Sequence, residues 1–117
     1  MPIADLQRQL RDFAAERQWE QFHTPKNLVM ALVGEVGELT ELFQWLTPEE
    51  SASAMADEDS AARVRDEMAD VLAYLLRLAD ALGVDIEEAL AAKMIKNAAK
   101  YPAGPTPAAG PLGHGRS

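Results

Sequence analysis

A chain of 117 residues, 48% hydrophobic and 26% charged, suits one domain with a small core that self-association would extend. Its formal net charge of -8 argues against a surface that grips nucleic-acid backbones, though not against a nucleotide held through a metal ion. Cysteine is absent, which removes disulfides, thiolate zinc sites and cysteine nucleophiles, and neither a signal-peptide pattern nor a membrane-spanning apolar run occurs, so a cytoplasmic protein with no membrane partner is expected.

Leu6, Leu10 and Phe13 recur at helical spacing and predict a helix from Ile3 to about Arg17. A connector, Gln18 to Thr24, carries Trp19, Glu20, Gln21, Phe22 and His23. Thr24-Pro25 reads as an N-cap with proline at the first helical position, opening a second helix that runs to about Trp45. Thr47-Pro48-Glu49-Glu50 is another helix start, followed by a small polar stretch from Ser51 to Ser60. A long helix is expected from about Ala61 to Leu82, ended by Gly83. Asp85 with Glu88 caps a last helix, Ile86 to about Lys100, which Pro102 stops. No period-2 strand pattern or solenoid repeat is present. The fold class is therefore all-α, a bundle of four to five helices spanning residues 1–102, with 103–117, rich in Pro and Gly, as a disordered tail.

The informative feature is where the acids fall. At about 100° per residue, Glu35 lies inside the apolar stripe of Leu28, Leu32, Leu39 and Leu42, and Glu38 lies about 60° away on its edge. The long helix repeats this, with Glu67 inside a stripe of Val64, Val71, Tyr74 and Leu78 and Asp70 on the same edge. Packing the two stripes together would gather four carboxylates, whose repulsion and desolvation a divalent cation would relieve. Hard oxygen donors suit Mg2+, with Mn2+ as the other choice. A single E-x-x-E is common on solvated helix faces, so the pattern alone leaves charged surface and metal centre both open. A carboxylate-bridged iron centre would need E-x-x-H pairs, and neither histidine stands at that spacing from these acids.

Leu32-Val33-Gly34-Glu35-Val36-Gly37-Glu38-Leu39-Thr40-Glu41-Leu42-Phe43-Gln44-Trp45 resembles the metal-binding helix of MazG-like pyrophosphohydrolases, and most of all their dCTP pyrophosphatase branch. Asp66-Glu67-Met68-Ala69-Asp70 looks like the second acidic motif of that superfamily, and Trp19–His23 and Lys93–Tyr101 resemble two further segments, so the likeness spans about residues 5–102. The resemblance implies a Mg2+-dependent nucleoside triphosphate pyrophosphohydrolase, acting on dCTP or a modified dCTP, that forms an intertwined homodimer or homotetramer. It implies Glu35, Glu38, Glu67 and Asp70 as metal ligands, with Glu38 also taking a proton from the attacking water. It implies Trp19, Glu20, Gln21, Phe22, His23, Trp45 and Tyr74 around the nucleoside, and Lys93 and Asn97 on the phosphates. Leu10 stands where the eukaryotic dCTP enzymes are expected to carry a histidine, so base recognition is expected to differ here. The alternatives are a phosphoribosyl-ATP pyrophosphohydrolase, which the Trp-bearing connector disfavours, and a non-catalytic helical interaction module whose acids are surface charge only.

Overall fold

The structure, a computed structural model, describes residues 1–104; the expected tail lies outside the described residues from 105 onward. Five helices follow one another: α1 (Ile3–Glu16), α2 (Pro25–Glu41), α3 (Pro48–Ala52), α4 (Glu58–Leu82) and α5 (Ile86–Lys100), with a 3₁₀ turn at Glu20–Phe22. No strand occurs among the described residues. The chain divides into two compact units, one up to Gly83 and one from Val84 on.

Helix boundaries follow from local chemistry. Thr24 accepts from the Asn27 N–H at 3.2 Å, satisfying one orphan donor at the start of α2. Thr47 and Glu50 form a reciprocal capping box on α3. Gly83, at φ 67°, ends α4 in the left-handed conformation that glycine adopts without steric cost. Gln18 adopts the same conformation at φ 57°, where a side chain is strained. It closes α1: the Trp19 N–H donates to Ala14 O at 2.9 Å and the Gln18 N–H to Ala15 O at 3.1 Å, the paired bonds of a Schellman motif. This turn throws the connector off the end of α1 and starts it at Trp19.

Two boundaries depart from the periodicity. α2 ends at Glu41 rather than near Trp45, and residues 42–45 form a turn. Its last bonds tighten, with Leu42 N–H donating to Leu39 O and Phe43 N–H to Thr40 O, while the Thr40 hydroxyl bonds back to Val36 O at 2.8 Å. Thr47 precedes a proline and is extended, so the helix has to release before it. α4 starts three residues earlier than expected, at Glu58, because Asp57 accepts from the Ser60 N–H at 2.9 Å and acts as its cap.

The core of the first unit is small. Leu28 of α2, Ala14 of α1, and Ala61, Val64, Leu76 and Ala79 of α4 are its buried apolar side chains. α4 packs against α2 on one side and α1 on another. Arg11 clamps α1 to α4 with two bonds to Asp80, Nε at 2.9 Å and Nη2 at 2.8 Å, and Gln7 Nε2 donates to Leu76 O at 3.3 Å. Many large apolar side chains stay exposed, including Met30, Val33, Met68 and Leu72. In the second unit, Asp85 caps α5 by accepting from Glu88 N–H at 3.0 Å, and the Tyr101 N–H closes it on Asn97 O. No described helix is long and apolar enough to cross a membrane.

Leu28 is 1% exposed and sits where α2 meets α4. Leu28→Ala is expected to lower unfolding stability by about 2–5 kcal/mol, read by denaturant titration; a loss below about 1 kcal/mol would mean that the site collapses around the smaller side chain.

Candidate functional site

α2 and α4 run antiparallel at the acids: Glu38, Glu41 and Leu42 share one cavity with Arg63, Asp66 and Glu67, while Glu35 interacts with Asp70 further along. That arrangement brings carboxylate oxygens of Glu35, Glu38 and Glu67 to within 4.8 Å of one another. Glu35 and Glu67 are half-buried and Glu38 is exposed. Removal from water, then the charges of Glu38 and Asp70, push the Glu35 carboxyl up to about 7. Glu67 is raised for the same reasons, burial first, then Glu38, Asp70 and Asp66. Asp70 thus belongs to the cluster electrostatically, although its oxygens fall outside the tightest group.

The donor set fits a divalent ion. Oxygens at about 2.1 Å from a shared Mg2+ stand at most ~4.2 Å apart, so small side-chain rotations from the observed spacing would complete the set. The acids flank a polar cavity of about 290 Å³ that Arg63 also lines.

A second cavity, about 210 Å³, opens beside Asp70. It is lined by Leu10, Phe13 and Ala14 of α1, Trp19 and His23 of the connector, and Asp70, Ala73, Tyr74 and Arg77 of α4. Trp19 meets the edge of Phe13 with centroids 5.6 Å apart and lies 6.1 Å from His23. Asn27 Nδ2 donates to Phe22 O at 3.0 Å and ties the connector to α2. Burial, then the nearby Arg77 charge, lowers the His23 pKa, so the imidazole is neutral at physiological pH.

The structure therefore gathers Glu35, Glu38, Glu67 and Asp70 in one place, and Trp19, His23 and Tyr74 around a neighbouring cavity that Asp70 also lines. Glu20, Gln21 and Phe22 form the exposed 3₁₀ turn of the connector and are not among the residues lining that cavity. Trp45 departs from its expected position: with α2 ending at Glu41 it stands in the following turn, 86% exposed, away from the cavity lining. Lys93 and Asn97 lie one turn apart on α5, in the second unit.

Two residues were missed by sequence reasoning, Arg63 and Arg77. Their signal was spacing: Arg63, Glu67, Asp70, Tyr74 and Arg77 follow one another by alternating steps of four and three, which lays them along one face of α4. Reading only the acids on that face left out the cations at its two ends.

Residues 31–107 match the MazG-like family. The chain is 47% identical over 100 residues to dCTP pyrophosphatase 1 of Bos taurus and 48% identical over 101 residues to dCTP pyrophosphatase 1 of Homo sapiens, covering 86% of this chain in each case. It spans 59% of the length of these curated relatives. The crystal structure of a pyrophosphatase from Archaeoglobus fulgidus DSM 4304 superimposes with a TM-score of 0.79 at 40% identity, covering 86% of this chain and 92% of that one. With the family match across most of the chain, and with helices and acidic motifs arranged as described, the chain belongs to the MazG-like family.

Proposed function

We propose that this protein is a Mg2+-dependent nucleoside triphosphate pyrophosphohydrolase that converts dCTP, or a base-modified dCTP, to its monophosphate and pyrophosphate. The observation that carries the reading is the convergence of Glu35, Glu38 and Glu67 oxygens within 4.8 Å, with Asp70 shared between that cluster and an aromatic-lined cavity. The names of its relatives point the same way.

Glu35, Glu67 and Asp70 would hold the ion, with Glu38 as the fourth ligand. A bound divalent cation supplies Lewis acidity, neutralising triphosphate charge and making water easier to deprotonate. Glu38, exposed at the polar cavity, takes the proton as water attacks the α-phosphorus. Arg63 lines the same cavity and would offset charge on the leaving pyrophosphate. Trp19, His23 and Tyr74 enclose the nucleoside.

The assembly is a homodimer or homotetramer. Met30, Val33, Met68 and Leu72 expose apolar side chains on α2 and α4 that a second subunit would cover. Gly34 and Gly37 support this: glycine inside a helix costs about 1 kcal/mol relative to alanine, yet a Cβ at either position would meet nothing within 4 Å in this chain. Trp45 is assigned to the subunit contact on its exposure.

Incubated with dCTP and Mg2+, the protein is expected to yield dCMP and pyrophosphate, resolved by chromatography, and to stop when EDTA is added. Glu38→Gln is expected to lower kcat at least about a hundredfold while the circular dichroism spectrum is unchanged; undiminished turnover removes Glu38 from the reaction. Absence of Mg2+-dependent nucleotide binding would leave the interaction-module reading.

Metal-free stability should carry the mark of the crowded acids. Glu35 holds its proton up to about 7 when folded, against an unfolded value of 4.5, so the folded state binds more protons between those values. Its contribution is present below the lower value and is lost as pH rises through the upper one. In EDTA the melting temperature is therefore expected to fall between pH 5 and pH 8, and added Mg2+ is expected to raise it more at pH 8 than at pH 5. An equal shift at both pH values would count against binding at these carboxylates.

A further inference from the structure

Arg77 is the cation of the aromatic cavity, and the proposed reaction does not use it. Its side chain is 11% exposed. Nη1 donates to Asp80 at 3.3 Å, and Nη2 lies 3.5 Å from His23 Nδ1, while Nε is buried with no partner. Asp80 does not consume this charge, because the same carboxylate already takes the shorter pair of bonds from Arg11. Guanidinium has five N–H groups and no acceptor. Two of them are engaged, and His23 Nδ1 has to be the accepting atom of that contact, which leaves the imidazole proton on Nε2. Three N–H groups are left without a partner on a side chain that lines the cavity, and an unpaired buried donor is costly.

The position of Arg77 along α4 points to an acceptor for them. From Asp70, which joins the acid cluster, to Tyr74 and then Arg77 is one continuous face, and Arg77 stands about 10 Å further along the helix axis than Asp70 at 1.5 Å per residue. A nucleotide whose α-phosphate sits at the acids and whose ring lies by Tyr74 extends its base edge in this direction. At about 210 Å³ the cavity falls below the common range of roughly 300–1,000 Å³, which suits one ring rather than two.

Resting on the pyrophosphohydrolase reading above, we propose that Arg77 is the base-specificity determinant, donating two parallel N–H bonds to the adjacent N3 and O2 acceptors of a cytosine ring in the Trp19–Tyr74 cavity. The guanidinium fork matches two neighbouring acceptors in one plane. Cytosine offers such a pair on its pairing edge. Thymine and uracil place an N3–H beside O2, so one arm of the fork would face a donor. Arg77 discriminates by that mismatch as well as by the attraction.

The test is kcat/KM for dCTP and dTTP, with Mg2+, in the full chain and three variants. Arg77→Met is expected to lower the dCTP value roughly ten- to hundredfold, the worth of one bidentate base contact, while dTTP falls little or not at all, so the preference collapses. Arg77→Lys keeps the charge beside Asp80 but lacks the fork; it is expected to lose the preference with near-native melting, and it decides the matter if Arg77→Met does not fold. Arg11→Met removes the other guanidinium on Asp80 and is expected to retain the preference. Equal loss on both nucleotides in the Arg77 variants, or an unaltered ratio, would assign Arg77 a structural role and overturn the inference while leaving the hydrolase reading in place. A wild-type preference for dTTP or a purine would overturn it as well. Failure of the wild-type protein to hydrolyse any nucleoside triphosphate would remove the hydrolase reading and this inference together.

Discussion

Two glutamates inside apolar stripes, one on each of two antiparallel helices, set the terms for everything else in the first unit. Leu28 and Val64 hold α2 and α4 together by burial, and the same seam draws Glu35 and Glu67 partly out of water beside Glu38 and Asp70. A seam of this kind is stable only if something else holds the helices while the charges push apart. The small buried residues Ala61 and Ala79 add to the burial on α4, the caps at Thr24 and Asp57 steady each helix, and the clamp of Arg11 on Asp80 ties α1 to α4. The repulsion among these carboxylates is a cost in the bare chain that a divalent cation would relieve.

Most of the fold was legible because its punctuation is chemical. Thr24-Pro25, Thr47-Pro48, Gly83 and Asp85 each mark a helix end by a specific unsatisfied backbone group or a specific φ angle. Where punctuation is redundant, legibility drops: Asp57, Asp59 and Ser60 are all residue types that cap helices, and it is Asp57 that accepts from the Ser60 N–H. The end of α2 was misjudged because a tightened turn from Leu42 to Trp45 keeps apolar residues at nearly helical spacing after the hydrogen-bond ladder has stopped.

The acids could be grouped from sequence because each pair lies on one helix, and two periodic faces need only be set against each other. Arg77 could not, since its meaning depends on His23, 54 residues away, and on a connector whose direction comes from the left-handed Gln18. Trp45 differs in its setting: the periodicity carried it on α2, while the structure places it in the turn after that helix, exposed. α5 was correctly bounded, yet its helix pattern says nothing of what Lys93 and Asn97 face.

Leu10, Phe13 and Ala73 line the aromatic cavity and also an apolar groove of about 360 Å³ formed with Leu6, Gln9, Ala69, Leu72 and Leu76. The partition between these two spaces is one side chain thick. Such a wall has no independent inside and outside: a residue that grows or shrinks to suit whatever covers the groove also reshapes the chamber behind it. Under the proposed function, surface drift on this side of α1 would be constrained by ligand fit, and a change of ligand preference would be able to originate in a residue selected for its outer contacts.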